Sequence, residues 1–189
     1  MLMKNTIKSE EKKMNKLDLR LLKLLGEEDY RIFKLIYKEF EKKPFFELWT
    51  DTQILQTFRD ILTTGQSFSY DEKGLMNIQF NSKRSEELPY DRWGNFIYLS
   101  DLVVLESARQ EGIGSGLLDY LIEWANVEDY NTIYFRTNLE GSMSESLGTK
   151  RGFEVVTNNS GKIITTPVSF LRQNGKEETD IRKYLKLTL

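Results

Sequence analysis

Cysteine and histidine are both absent from the 189 residues. Without cysteine there is no disulfide framework, no thiolate nucleophile and no Cys-ligated zinc. Without histidine there is no Ser-His-Asp triad, no Cys-His pair and no histidine base. Acid–base chemistry is left to carboxylates, tyrosines, lysines, the termini and ordered water. No metal site is expected. No apolar run approaches the ~20 residues of a membrane span. The opening "MLMKNTIKSEEKKMNK" has no apolar core after its charges, so it does not read as a signal peptide. The expectation is a cytoplasmic protein with no membrane partner.

The net charge is only −2. A nucleic-acid binder carries a basic footprint, so none is expected here. The length fits one domain with a sizeable core. Residues 1–16 read as a solvated tail and 17–189 as a single domain.

The chain alternates strand and helix patterns. "LDLRLLKLL" (Leu17–Leu25) reads as a strand. In "GEEDYRIFKLIYKEFEKK", Tyr30, Phe33, Ile36, Tyr37 and Phe40 recur at helical spacing, and Pro44 stops the run. "TDTQILQTFRDILTTG" reads as a second amphipathic helix, capped by Thr50 or Asp51 and ended by Gly65. "QSFSYDEKGLMNIQF" reads as a hairpin around Asp71–Gly74, and "NSKRSEELPYDRWGN" as a polar loop. "FIYLSDLVVLE" (Phe96–Glu106) is almost wholly apolar and suits a central strand covered on both faces. A helix is expected from Ser115 to about Asp129, then a strand "NTIYFRTN" and a short helix "GSMSESLGTKRG". "FEVV", "KIITTPVSFLR" and "DIRKYLKLTL" close the chain as strands. This order predicts an α/β (α+β mixed) fold around one sheet with helices on both faces.

One stretch carries chemistry. "ARQEGIGSG" sets Arg109, Gly112, Gly114 and Gly116 between the apolar strand and a helix start. A helix N-terminus offers unpaired amides and the positive end of the helix dipole, which together suit an anion. Glycines let the backbone approach a diphosphate closely. A P-loop needs Gly-Lys-Ser/Thr, and the Rossmann fingerprint needs a third glycine three residues after the second. Neither is present. The readings left are a main-chain site for a phosphate-bearing cofactor, or a tight turn with no ligand.

"LSDLVVLESARQEGIGSGLLDYLIEWA" resembles the signature of the GNAT superfamily of N-acyltransferases, an apolar strand followed by Arg/Gln-x-x-Gly-x-Gly/Ala opening a helix. "LGTKRGFEVV" resembles the family's later Gly-Phe-Glu landmark. The resemblance covers about Leu17 to Leu189. It implies a mostly antiparallel mixed sheet, splayed where acetyl-CoA or a related acyl-CoA enters. It also implies roles for particular residues. Amides of Gln110, Glu111, Gly112, Ile113, Gly114 and Ser115 would hold the pyrophosphate, with Gly116 in the first helical turn and Arg109 adding backbone and charge. The main chain of Leu102, Val103, Val104 and Leu105 would pair with the pantetheine arm as an added strand does.

Acyl transfer to an amine needs a base, donors for the oxyanion and a proton for the thiolate. With no histidine or cysteine, a cysteine acyl-enzyme is impossible and direct attack by the amine on the thioester is the economical reading. Asp101 is the one charged residue inside the strand 96–105; a carboxylate there is costly unless paired, which suits a base. The stretch "IYLSDLVV" resembles the diamine acetyltransferase branch, which has adjacent acidic residues here. Ser100 replaces the first of them and can order a water. By strand alternation Ser100 and Asp101 are expected on opposite faces. The family's frequent tyrosine falls at Gly148, and its asparagine at Gly141. Ser144, Ser146 and Thr149 read as helix-end hydroxyls, and Tyr98 and Tyr134 as core aromatics or proton donors. The acceptor site is expected from Phe45, Phe46, Glu47, Trp49, Glu86, Glu87, Tyr90, Asp91 and Trp93, aromatics with carboxylates that suit an amine.

Three functions stay open: an N-acetyltransferase acting on a small-molecule or protein amine, a GNAT-like domain that binds or senses acyl-CoA without turnover, and a structural domain. A homodimer through the closing strands is a further expectation.

Overall fold

The structure is a computed structural model that describes residues 19–23, 26–42, 45–80 and 95–189. The proposed tail, Pro44 and the loop residues Glu86, Glu87, Tyr90, Asp91 and Trp93 lie outside these residues.

Among the described residues eight strands form one sheet in the order β1-β2-β3-β4-β5-β8-β6, with β7 also paired to β8. β1 is Leu19–Leu21, β2 Gly65–Tyr70, β3 Gly74–Phe80, β4 Phe96–Val104, β5 Thr132–Asn138, β6 Glu154–Val155, β7 Thr165–Leu171 and β8 Glu177–Thr188. Among these strands only β4 and β5 run parallel; every other pair is antiparallel. The helices are α1 Glu27–Tyr37, α2 Asp51–Thr64, α3 Ile113–Val127 and α4 Met143–Thr149. The mixed architecture, mostly antiparallel with helices on both faces, is the one expected from the sequence.

The apolar periods decide which face each helix covers. Leu117, Leu118, Leu121 and Ala125 of α3 pack on Phe68, Met76, Ile78, Ile97 and Leu99. Ile32, Phe33 and Ile36 of α1 and Ile54, Phe58 and Ile61 of α2 pack on the other face, against Leu75 and Val103. Phe96, Tyr98, Tyr134 and Tyr184 continue that second face toward β8. Tyr98 and Tyr134 are thus core aromatics, each 1% exposed. Among the described residues no helix is long and apolar enough to cross a membrane.

Several boundaries differ from the sequence reading. Within the described residues β1 is Leu19–Leu21, paired with Phe68–Tyr70 of β2, and the Leu22 amide still donates to the Ser67 carbonyl at 2.9 Å. The first helix ends at Tyr37 and tightens into a 3₁₀ turn, Lys38–Glu41, instead of running on to Lys43. Thr50, not Asp51, caps α2, in a reciprocal capping box with Gln53. β4 stops at Val104 and gives way to a 3₁₀ turn, Glu106–Ala108. α3 begins at Ile113, two residues before the expected Ser115.

Candidate active site

β4 and β5 share only four paired positions, from Phe96↔Thr132 to Leu99↔Phe135. Beyond them, among the described residues, β4 pairs with β3 alone through Val104, while β5 pairs with β8 through Asn138. The two strands therefore part after Leu99. The β5-facing edge of Leu102, Val103 and Val104 is left outside the ladder.

The parting coincides with a β-bulge. Asn77 pairs with Asp101 and Ile78 with Leu99, so Ser100 is the extra residue of β4. The bulge flips the alternation. Ile97 and Leu99 pack with α3 before it, and Leu102 and Val104 do so after it. Ser100 and Asp101 both fall on the α1–α2 face. The expectation of opposite faces is thus corrected, because strict alternation does not survive an inserted residue. Ser100 Oγ donates to the Asn77 carbonyl at 3.1 Å. Asn77, fully buried, accepts from Ser67 Oγ at 2.7 Å and donates through Nδ2 to Asp101 Oδ2 at 3.0 Å. A polar chain from Ser67 thus fixes the Asp101 carboxylate beside the parting strands.

The glycine loop follows the C-terminal end of β4. Gln110 and Gly112 both have positive φ, 71° and 83°. Gly112 is the N-cap of α3 and has no side-chain cap. A Cβ added there would meet nothing within 4 Å, so the turn is open on that side. The first intrahelical bond runs from Gly116 N–H to the Gly112 carbonyl at 2.9 Å. The amides of Ile113, Gly114 and Ser115 therefore precede the helical ladder, as an anion site requires. Gly114 packs on β4, its notional Cβ 3.7 Å from Val104 Cγ2. Glu111 lies beside Lys73 (3.8 Å) on the surface.

Arg109 does not face this opening freely. Its guanidinium reaches Glu39 Oε2 at 3.5 Å and the Val104 carbonyl at 3.4 Å. Glu39, 2% exposed, also accepts from the Glu106 amide at 3.0 Å and pairs with Lys42. Sequence reasoning missed Glu39. Its one signal was a carboxylate set between the apolar positions Ile36 and Phe40 of the first helical run.

The connector between α1 and α2 closes the α1–α2 face of the site. Glu47 forms a bridge with Arg172 at the end of β7, and its carboxylate accepts from Trp49 Nε1 at 2.9 Å. Burial pushes the Glu47 carboxyl up. The Trp49 bond and then the charge of Arg182 oppose that rise, while Asp101 adds to it. Trp49 meets Tyr37 edge-on with ring centroids 5.0 Å apart. Phe46 borders a hollow of about 430 Å³ with Arg172, Gln173, Asn174 and Glu178. Phe45, Phe46, Glu47 and Trp49 thus lie together in the connector.

On the α3 face, the hydroxyls of Thr137, Ser142 and Ser144 join at the start of α4; Thr137 and Ser144 lie 3.0 Å apart. Ser142 caps α4 by accepting from the Glu145 amide. Ser146 and Thr149 serve the helix end through Thr149 Oγ1, which donates to the Ser146 carbonyl. Gly148 backs on Phe135, and a Cβ there would stand 2.6 Å from the ring Cζ. Among the described residues no group of three or more acidic side chains could hold a metal.

Residues 33–153 match the profile of the acetyltransferase (GNAT) family. Comparison with curated proteins gave no match. Solved structures share the fold at low identity. One is an N-acetyltransferase from Staphylococcus aureus Mu50, 18% identical with a TM-score of 0.60, over 90% of this chain and 96% of that one. Another is a ribosomal-protein-alanine N-acetyltransferase from Brucella melitensis, at 17% and 0.62, over 90% and 99%. A third is a GNAT superfamily phosphinothricin acetyltransferase from Sinorhizobium meliloti in complex with acetyl-CoA, at 16% and 0.63, over 92% and 89%.

Proposed function

The chain belongs to the acetyltransferase (GNAT) family, and on that premise we propose that it transfers the acetyl group of acetyl-CoA directly to a primary amine. The parting of β4 from β5 after Leu99, with Asp101 fixed beside it, is the observation that carries this reading.

The residues present fit acetyl-CoA. The open turn at Gly112 and the amides of Ile113, Gly114 and Ser115 suit its diphosphate, together with those of Gln110 and Glu111. The β5-facing edge of Leu102–Leu105 suits the peptide-like pantetheine arm. Arg109 acts through Glu39, holding the entry to the loop, rather than as a free cation.

The reaction forms a C–N bond between amine and acetyl carbon and breaks the C–S bond. The amine must lose its proton, and Asp101 is the group we assign to accept it, directly or through a water. Asn77 orients that carboxylate, and Ser100 locks the bulge through the Asn77 carbonyl. The proton is returned to the departing sulfur, so the products are the amide and free CoA thiol. No tyrosine at 148 supplies it.

The packing of Gly148 on Phe135 favours a second reading, a domain that binds acyl-CoA with little turnover. Calorimetric titration with acetyl-CoA and a thiol-release assay over a panel of amines separate the two. Release with an amine supports transfer. Binding without release for any amine supports the second reading, and no binding at millimolar ligand sinks both.

A further inference from the structure

The α1–α2 face of the parting strands carries charges of both signs. Asp101 comes from β4 and Glu47 from the connector. Arg136 comes from β5 and Arg182 from β8. Arg136 is the register partner of Tyr184, and Arg182 stands two residues before Tyr184. Tyr184 packs with Tyr98 and Tyr134, so both arginines lie on the face that also holds Asp101. The Arg136 guanidinium sits 5.9 Å from the Tyr98 ring centroid, one residue before the pairing of β4 with β5 ends. The charge of Arg182 is felt at Glu47, as is that of Asp101.

Both arginines have unused hydrogen-bonding capacity. The Nε atoms of Arg136 and Arg182 are buried with no acceptor. Among the described residues Arg136 forms no ion pair, and Arg182 has only Asp180 at 3.6 Å, a carboxylate 42% exposed. A buried donor without a partner is unfavourable, and such groups are rare unless a ligand or water completes them. The guanidinium is a planar fork that fits a carboxylate in two parallel bonds.

We propose that Arg136 and Arg182 bind the carboxylate of the acceptor, which is a free amino acid whose amine is turned toward Asp101. The inference rests on the acetyl-transfer reading and narrows it. A free amino acid carries its amine and its α-carboxylate on one carbon, whereas in a protein N-terminus that α-carboxylate is consumed in the first peptide bond. The amine forms the C–N bond to the acetyl carbon, the C–S bond breaks, and the amine's proton ends on the CoA thiol.

Thiol release by the full chain over matched pairs tests this. Each amino acid is compared with its decarboxylated amine and with a peptide beginning with the same residue. A preference for the amino acid of roughly tenfold or more in kcat/KM is expected from charge-assisted bonds. Arg136→Gln and Arg182→Gln should raise KM for the amino acid and close the gap within each pair. Their acetyl-CoA affinity should stay unchanged, which also reports that they fold. Equal rates within pairs, equal use of the peptides, or an equal loss on both members in the variants would overturn the proposal. Should no amine be acetylated, the transfer reading fails by itself. The arginine site is then read by titrating the amino acids and their N-acetyl forms into the CoA-loaded chain. Binding lost in both variants upholds it, and no binding refutes it.

Discussion

Gly148 lies so close to Phe135 that any side chain at 148 would collide with the ring, its Cβ standing 2.6 Å from Cζ and 3.4 Å from Phe153 Cβ. Phe135 is also the last β5 residue paired with β4, so the collision falls where the strands part. Installing a tyrosine at 148 should therefore not supply a proton donor. Gly148→Tyr is expected to destabilise the fold by about 1–3 kcal/mol through overpacking. Thermal unfolding checks this. A Gly148→Tyr variant as stable as the wild type would show that the ring yields easily.

The Asn77–Asp101 bond gives a second prediction. Asp101→Asn should lower kcat by about 10²-fold or more, the scale of general base loss. Acetyl-CoA affinity should hold, because the groups proposed to hold the diphosphate are main-chain amides of residues 110–115 and Asp101 is not among them. Asn77→Ala should lower kcat less while leaving Ser67 Oγ and the carboxylate without their shared partner. Steady-state kinetics with calorimetry of acetyl-CoA binding read both. Full activity in Asp101→Asn would remove it from the mechanism.

The architecture was legible because periodicity was strong wherever burial was strong. The α2 stripe Ile54, Phe58, Ile61 and the apolar run from Phe96, interrupted only at Ser100 and Asp101, could fit only a half-buried helix and a central strand. Glycine spacing located the turn before α3 for the same local reason. The bulge at Ser100 was not legible, since it arises from β3 against β4 and leaves no mark on either strand alone. The same holds for Glu39, Asn77, Arg136 and Arg182. Each is a polar or charged residue inside an apolar pattern, the rule that singled out Asp101, but their partners are distant in sequence.

Glu39 joins the 3₁₀ turn after α1 to the approach of the glycine loop. It accepts from the Glu106 amide at 3.0 Å and pairs with Arg109 at 3.5 Å. Glu39→Ala should leave the Glu106 amide without its acceptor and Arg109 with only the Val104 carbonyl, at about 1–3 kcal/mol of stability. Because those groups frame the loop, acetyl-CoA affinity should fall as well, while Asp101 keeps its partner. Unfolding and calorimetry on one variant separate the two effects. A stability loss with unchanged affinity would confine Glu39 to the fold.

Burial raises the Glu47 carboxyl above its ordinary 4.5, although the Trp49 bond and Arg182 hold part of the rise back. The folded state then keeps the proton more tightly than the unfolded chain. The unfolded chain releases it first, so stability declines as pH climbs from about 4.5 to the folded value and is level above it. In Glu47→Gln that decline should vanish. Melting curves for both proteins across the acid range should converge at low pH and separate toward neutrality, the variant being favoured. Parallel curves would mean that the carboxylate is as well solvated in the fold as outside it.

At Gly112 two effects that usually travel together can be separated. Its φ of 83° is strained for any residue with a Cβ, yet a Cβ there meets no atom of the protein. Gly112→Ala should thus cost about 1–2 kcal/mol of backbone strain and nothing from packing. The methyl group would point into the open side of the turn, where the diphosphate is proposed to lie. Acetyl-CoA affinity should then fall by more than the stability change explains. Gly114→Ala supplies the control, since its Cβ would make only an ordinary 3.7 Å contact with Val104 and no positive φ is involved. Equal affinity losses in the two variants would argue that the turn's shape, and not its open side, is what the ligand needs.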